Sequence, residues 1–426
     1  MHTENLIEIL KVFEVFKKYV IQGGIIVTPE FIMKEAAITV DNGRISELGK
    51  ADSSPDFVIN LRDNDIVFPG LINAHDHLLG NYYPRVGTGP YMNWRPWDND
   101  LKTAPVYEER GKISNFDLYV IAAYRNIISG VTTVQDHIPH FVNEEFIDKL
   151  PLRVIKRYSL EHECSSYDLK WGRGITVEHN DAVKNDMPFI THIEEGYDEE
   201  ATLGIDILKE LNALDEFTVL IHGISLSKED ISDIAKHKAN LVWCPSSNYY
   251  MFKDTTDIKE LLVQGVNVSL GTDSPMSGGL NILDELQFAH TLYKELYNEE
   301  IDYKTLVNMV TVNAAKAMRL KDLGRIQVGN IADFLILCNG DVSNPYKSLV
   351  NAGFDNISMV ISEGKPVYGY GKDYDFFEHF TEFYQLTEVN GKERILIGKP
   401  IDLYERIWEG VKFKKILPFF PVDFYQ

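Results

Sequence analysis

Cysteine is scarce in this chain: Cys164, Cys244 and Cys338 are the only three in 426 residues, and no two form a Cys-X-X-Cys pair. So odd and scattered a set makes neither a disulfide framework nor a thiolate zinc site, and it points to a reducing cytoplasm. Basic charge is also short, with 42 Lys+Arg against 64 Asp+Glu and a net charge of −22. Proteins that work on phosphate backbones or anionic lipid need basic patches to displace counterions, so nucleic acid and membrane surfaces are poor partners and a small molecule is the better expectation. Long apolar runs are missing too; none reaches the roughly 18 residues of a membrane-spanning helix. The opening MHTENLIEILKVFEVFKKYV sets Leu6, Leu10, Phe13, Phe16 and Val20 at helical spacing, but acids and lysines interrupt it and it does not read as a signal peptide.

What is present is an ordinary globular balance, 44% hydrophobic and 25% charged. From Tyr19 to Gly70 the runs YVIQGGIIV, AAITVDNGRISELG and FVINLRDNDIVFPG alternate apolar and polar residues between glycine turns, as a small antiparallel unit does. The same texture returns at GRIQVGNIADFLILC (324–338) and NISMVISEGKPVYG (356–369), so one β-sandwich built from both flanks is expected, from 19–67 plus 323–371. The middle, 68–322, spans 255 residues, close to the roughly 250 of a (β/α)8 TIM barrel. Its compact strands VTTV (131–134), FITHI (189–193), TVLIHG (218–223), NLVWC (240–244) and VNVSLGTD (266–273) alternate with helical patterns such as SKEDISDIAKH. Between Glu161 and Met187 only one weak strand is legible, around GITVEH, so one barrel repeat is expected to be abbreviated. The aromatic extension 372–426 has no clear assignment.

Chemistry concentrates at strand ends. In VFPGLINAHDH, His75 and His77 lie two residues apart on a strand and therefore project to one face, with Asp76 pointing away. Barrel enzymes assemble their sites from the C-terminal ends of several strands, and His192, His222 and Asp273 close later strands in order. Any one of these is equally a core histidine or a helix-capping aspartate. The ordered set is not.

The succession PGLINAHDH, HIEEG, IHG and LGTDS, with WCPSSNYYM (243–251) before the last, resembles the metal-dependent amidohydrolase superfamily. Within it the likeness is to the branch of cytosine, guanine and adenosylhomocysteine-type deaminases and triazine chlorohydrolases. That resemblance implies one divalent transition metal, zinc first and iron(II) second, held by His75, His77, His192 and Asp273. It implies a hydrolytic deaminase, an enzyme acting on carbon–nitrogen bonds other than peptide bonds, in which metal-activated water attacks the amino-bearing carbon of a nitrogen heterocycle. Asp273 then also takes the water's proton, Glu195 protonates a ring nitrogen, and His222 hydrogen-bonds the attacking water. If the strand ran past His192, alternation would aim Glu194 inward in place of Glu195. A bridging lysine for a second metal is hard to find, since only Lys156 and Lys170 lie in the relevant region.

In the loop after the first barrel strand (78–100), Arg85, Trp94 and Trp97 are candidates to stack on or hydrogen-bond a flat substrate, and His137 is a candidate at the cavity mouth. Loop-on-loop packing explains the loop residues as well. The same site also suits a cyclic amidase or a dechlorinating hydrolase, and a catalytically silent barrel used for binding is the reading from another class. A homodimer is the default oligomer.

Overall fold

A computed structural model of the chain describes residues 18–50 and 54–423. The expected helix at the extreme N-terminus, apart from Val20, falls outside the described residues. Val20 itself belongs to a strand, Lys18–Gln22.

Two sheets form the sandwich. The smaller runs in the order Arg44–Leu48, Ala37–Asp41, Lys18–Gln22, Phe57–Asn60. The larger has nine strands among the described residues and takes in Ile66–Pro69, which pairs antiparallel with Phe334–Leu337 and parallel with Ile25–Val27. Tyr19, Ile21, Ile38 and Val40 of one sheet meet Phe334, Ile336, Met359 and Ile361 of the other in a continuous apolar core, as period-two alternation requires. The extension past residue 371 adds the hairpin Tyr384–Val389 and Lys392–Ile397 to the larger sheet. Its helix Pro400–Val411 then packs back on the helical layer, where Arg406 binds Asp117 at 2.7 Å.

Eight parallel strands follow in the middle: β1 (Leu71–Asp76), β2 (Val131–Asp136), β3 (Arg153–Val154), β4 (Ser159–Glu163), β5 (Phe189–Ile193), β6 (Thr218–His222), β7 (Asn240–Trp243) and β8 (Asn267–Leu270). They pair as β3-β2-β1 and as β4-β5-β6-β7-β8, and a parallel bridge from Asp76 to Asp273 joins β1 to the end of β8. No ladder joins β3 to β4 among the described residues, so the barrel order is complete while one seam is open. The abbreviation expected within Glu161–Met187 is not there, since that segment carries the end of β4 and the helix Ile175–Asn185; the short strand is β3 before it, only two residues long. Ile72, Ala74, Leu160, Ile190, Val219, Ile221 and Val242 fill the interior.

Two local differences from the sequence reading have simple causes. The run VFPGLINAHDH is not one strand: it breaks at Gly70, leaving 66–69 in the sandwich and starting β1 at Leu71. A Cβ at Gly70 would lie 2.4 Å from Thr132 Oγ1, so only glycine lets the chain cross from one unit to the other here. GITVEH is not a strand either. Ile175–Asn185 is a helix that buries Glu178, His179 and Ala182, and tertiary packing overrides the β-branched residues at its start.

Candidate metal centre

The strand ends of β1, β5, β6 and β8 converge on one cavity of about 450 Å³. His75 is fully buried at the end of β1, with His77 following the strand beside it, and their rings lie 4.9 Å apart. His192 of β5 adds a third imidazole, its ring 5.0 Å from His75 and 5.5 Å from His77. Asp273 closes the set from β8: its Oδ1 is 3.6 Å from His75 Nε2 and 3.4 Å from His77 Nε2. Strand β8 comes this close because Gly271 has no side chain; a Cβ there would sit 2.7 Å from His75 Cβ.

The surrounding hydrogen bonds aim the donors. His192 Nδ1 donates to the His162 carbonyl at 2.7 Å, which leaves Nε2 as the free lone pair facing the cluster. The hydroxyls of Ser247 and Ser277 both donate to Asp273 Oδ2 at 2.6 Å, leaving Oδ1 toward the histidines. His222 Nδ1 donates to Asn248 Oδ1 at 2.8 Å, and Asn248 is itself fixed by donation to Thr255. His222 Nε2 therefore faces the cavity as an acceptor, 3.7 Å from Glu195 Oε1.

Burial sets the protonation states. It drives His75 down to about 3 and His192 well below its ordinary value, so both imidazoles are neutral donors. Burial alone would raise Asp273, but the His75 and His77 imidazoles outweigh it and hold the carboxylate ionised. Glu195 goes the other way: burial, then Asp273 and Glu163, push its carboxyl well above the usual range. One cavity thus holds two carboxyls shifted in opposite directions, the separation that acid–base chemistry uses.

These residues fit a metal ion. Neither ring nitrogen of buried His75 has a hydrogen-bond partner among the described residues, and buried polar atoms left bare in this way call for an unseen partner. The ligand atoms of His75, His77 and His192 lie within 4.8 Å of one another, as do those of His75, His222 and Asp273. Three imidazoles and a carboxylate suit zinc, iron or manganese. Lys156 and Lys170 are exposed and paired with Asp148 and Asp168, away from the cluster.

Neighbouring Glu194 and Glu195 separate cleanly. Glu194 has left-handed backbone, φ 49°, which ends the strand alternation after Ile193. Its Oε1 accepts from Ile205 N at 3.2 Å, at the start of the next helix, while Glu195 lines the cavity.

The loop residues divide as well. Trp94 and Trp97 line the cavity, their indole N–H groups donating to Glu163 Oε2 at 2.6 Å and the Val86 carbonyl at 3.0 Å. Arg85 does not line it: the side chain is exposed, donates to the Gly278 carbonyl and lies over the Tyr250 ring. His137 is not at the mouth. It is fully buried behind the cluster, its ring 4.3 Å from His192. Sequence reasoning passed over His162, Leu169 and Trp171, which also line the cavity. They come from the segment that lacked a legible period. Among the described residues, nothing from the C-terminal extension lines it.

Comparison with known proteins agrees with this geometry. Residues 178–367 match the Amidohydrolase family model. A protein of Thermoanaerobacter pseudethanolicus named 5-methylthioadenosine/S-adenosylhomocysteine deaminase is 27% identical over 371 residues, covering 74% of this chain and 82% of the relative. An adenosine deaminase from Xanthomonas campestris, solved with bound zinc, superposes with a TM-score of 0.68 at 19% identity, covering 82% of this chain and 92% of its own. Atrazine chlorohydrolase from Arthrobacter aurescens, complexed with zinc, gives 0.70 at 18% identity, covering 82% and 95%. The matched segment, 178–367, carries the strand-end residues His192, His222 and Asp273, and the family is the one that the strand-end motifs resemble.

Proposed function

We propose that the protein is a metal-dependent hydrolytic deaminase that releases ammonia from an amino-substituted nitrogen heterocycle, with 6-aminopurine nucleosides as the first class to test. The observation that carries this reading is geometric: one buried cavity holds Glu195 and Asp273 beside a three-histidine cluster, with Asp273 Oδ1 3.6 and 3.4 Å from His75 and His77 Nε2 and Glu195 Oε1 3.7 Å from His222 Nε2. The purine class is suggested by the name of the Thermoanaerobacter relative. Zinc held by His75, His77, His192 and Asp273 would supply Lewis acidity that makes water nucleophilic near neutral pH.

The chain's own residues do the rest. Glu195 gives its proton to the ring nitrogen, which makes the neighbouring carbon electrophilic. Asp273 Oδ1 accepts a proton from the water as its oxygen bonds to that carbon, and His222 Nε2 accepts a hydrogen bond from the same oxygen. Asp273 then passes its proton to the amino group, the carbon–nitrogen bond breaks and ammonia leaves. The new hydroxyl returns its proton to Glu195, leaving a ring lactam. Trp94 and Trp97 wall the cavity and exclude water from the reacting atoms.

The same reading takes 19–67 plus 323–371, 68–322 and 372–426 as its units and places a homodimer in the cytoplasm. All three cysteines are buried and unpaired. Among the described residues no helix is long and apolar enough to cross a membrane. The test is a panel of aminopurine nucleosides, free aminopurines, aminopyrimidines and chlorotriazines given to the zinc-loaded protein, with ammonia and chloride measured separately. Ammonia from an amino-heterocycle is expected; chloride release with no ammonia from any member would overturn the proposal.

A further inference from the structure

Asp76, between the two β1 histidines, faces the opposite way and is fully buried in the helical layer. There it meets Arg125, from the helix Asn115–Ile127, whose side chain is 1% exposed. Arg125 Nη1 donates to Asp76 Oδ2 at 2.7 Å and to Asn81 Oδ1 at 2.9 Å. Asn73, Asn81 and Asn126 donate to the remaining lone pairs of the carboxylate at 3.2, 2.9 and 3.2 Å. Taking both charges out of water is costly, and a buried ion pair of this kind is seldom explained by stability alone.

The other edge of the guanidinium shows what the pair does. Nε donates to the Leu280 carbonyl at 2.7 Å and Nη2 to the Gly279 carbonyl at 2.9 Å. Those carbonyls belong to the turn after β8, the same turn whose Ser277 hydroxyl steers Asp273 Oδ2. One planar fork therefore grips the strand bearing His75 and His77 and the turn that orients Asp273. Between the two strands themselves the described links are the Asp76–Asp273 bridge, with His77 N donating to the Asp273 carbonyl at 2.8 Å and Asp273 N to the His75 carbonyl at 3.0 Å, and an Asn73–Thr272 pair in which Asn73 Nδ2 donates to Thr272 Oγ1 at 2.8 Å and Thr272 N to Asn73 Oδ1 at 3.1 Å. The guanidinium reinforces the seam across which the metal ligands must meet, and its fixed geometry is one that the point charge of lysine cannot reproduce.

We propose that Arg125, acting through Asp76 and the Gly279–Leu280 carbonyls, is a positioning residue that sets the spacing between the His75/His77 pair and Asp273 for metal binding. This rests on the metal-centre reading above. The test is zinc affinity of the metal-stripped full-length protein, measured by competition with a chromophoric chelator, together with the melting temperature of the metal-free form. Arg125→Lys is expected to weaken zinc binding about 10- to 100-fold, the range for residues that orient metal ligands, with kcat falling more than KM rises. Asp76→Asn should act in the same direction, and added methylguanidine should restore affinity to Arg125→Ala. Arg153→Lys is the control. Arg153 bridges β3 to Asp333 and Glu363 of the sandwich, so its replacement should lower the melting temperature and leave zinc affinity unchanged. Wild-type affinity in both Arg125→Lys and Asp76→Asn, with the wild-type protein binding zinc, overturns the proposal alone. A wild-type protein that binds no zinc overturns the metal reading and this proposal together.

Discussion

The sandwich and the barrel mouth use the same rare backbone conformation for opposite ends. In the sandwich, left-handed residues sit at hairpin tips as adjacent pairs: Asn42 with Gly43, Glu363 with Gly364, Asn390 with Gly391. Both central residues of such turns need positive φ, and asparagine and glycine adopt it at little cost. At the mouth the left-handed residues are Glu194 (φ 49°), His222 (φ 72°) and Asp273 (φ 58°), each at or just beyond a strand end. None serves as a hairpin tip: each stands at a strand end facing the cavity or the next helix, and aspartate and histidine enter this region more readily than glutamate. The backbone is bent there because bending aims a side chain, or, at Glu194, turns one away so that Glu195 enters the cavity. Left-handed backbone costs an ordinary residue about 1–2 kcal/mol, and such strain collects at functional sites when the surroundings hold it in place.

The contrast can be broken most sharply at Asp273. Asp273→Asn keeps the shape and the left-handed preference but removes the proposed base and charged metal ligand, so kcat/KM for ammonia release should fall about 10,000-fold while the circular dichroism spectrum is preserved. Next comes the pair of adjacent glutamates. Glu195→Gln should lower kcat about 100- to 10,000-fold, whereas Glu194→Gln should change it less than about tenfold, because Glu194 faces Ile205 and not the cavity. Equal losses in the two variants would contradict the assignment.

A smaller effect concerns pH. Glu285, wholly buried, has one carboxylate oxygen unpartnered among the described residues, and burial pushes its carboxyl up to about 8. Between about 4.5 and 8 the folded protein holds this proton and the unfolded chain does not, so this group makes stability fall as pH rises through that window and level off above it. Glu285→Gln should therefore flatten the dependence of melting temperature on pH between 5 and 8. The smallest effect lies in the sandwich: Asn42→Ala should cost about 1 kcal/mol of stability in urea melts and leave kcat within twofold.

This division also explains what could be read in the chain. Hairpin tips announce themselves through Asn-Gly, and strands such as FITHI and TVLIHG end where their apolar runs end. His75, His77, His192 and Asp273 were legible because ligand types fell at those ends in order. Glu195 over Glu194 was not settled by alternation, since the left-handed residue that decides it carries no compositional mark. His162 and Trp171 were missed because the short β3 and the helix starting at Ile175 hid the strand that precedes them. Arg125 was invisible for another reason: its partners lie 49 and about 155 residues away, beyond any local period.

The most direct test is ammonia release from a responsive amino-heterocycle as zinc is returned stepwise to the metal-stripped protein. The account predicts that activity rises linearly and stops rising at one zinc per chain. A break at two zinc ions per chain, or ammonia release that ignores zinc altogether, would contradict it.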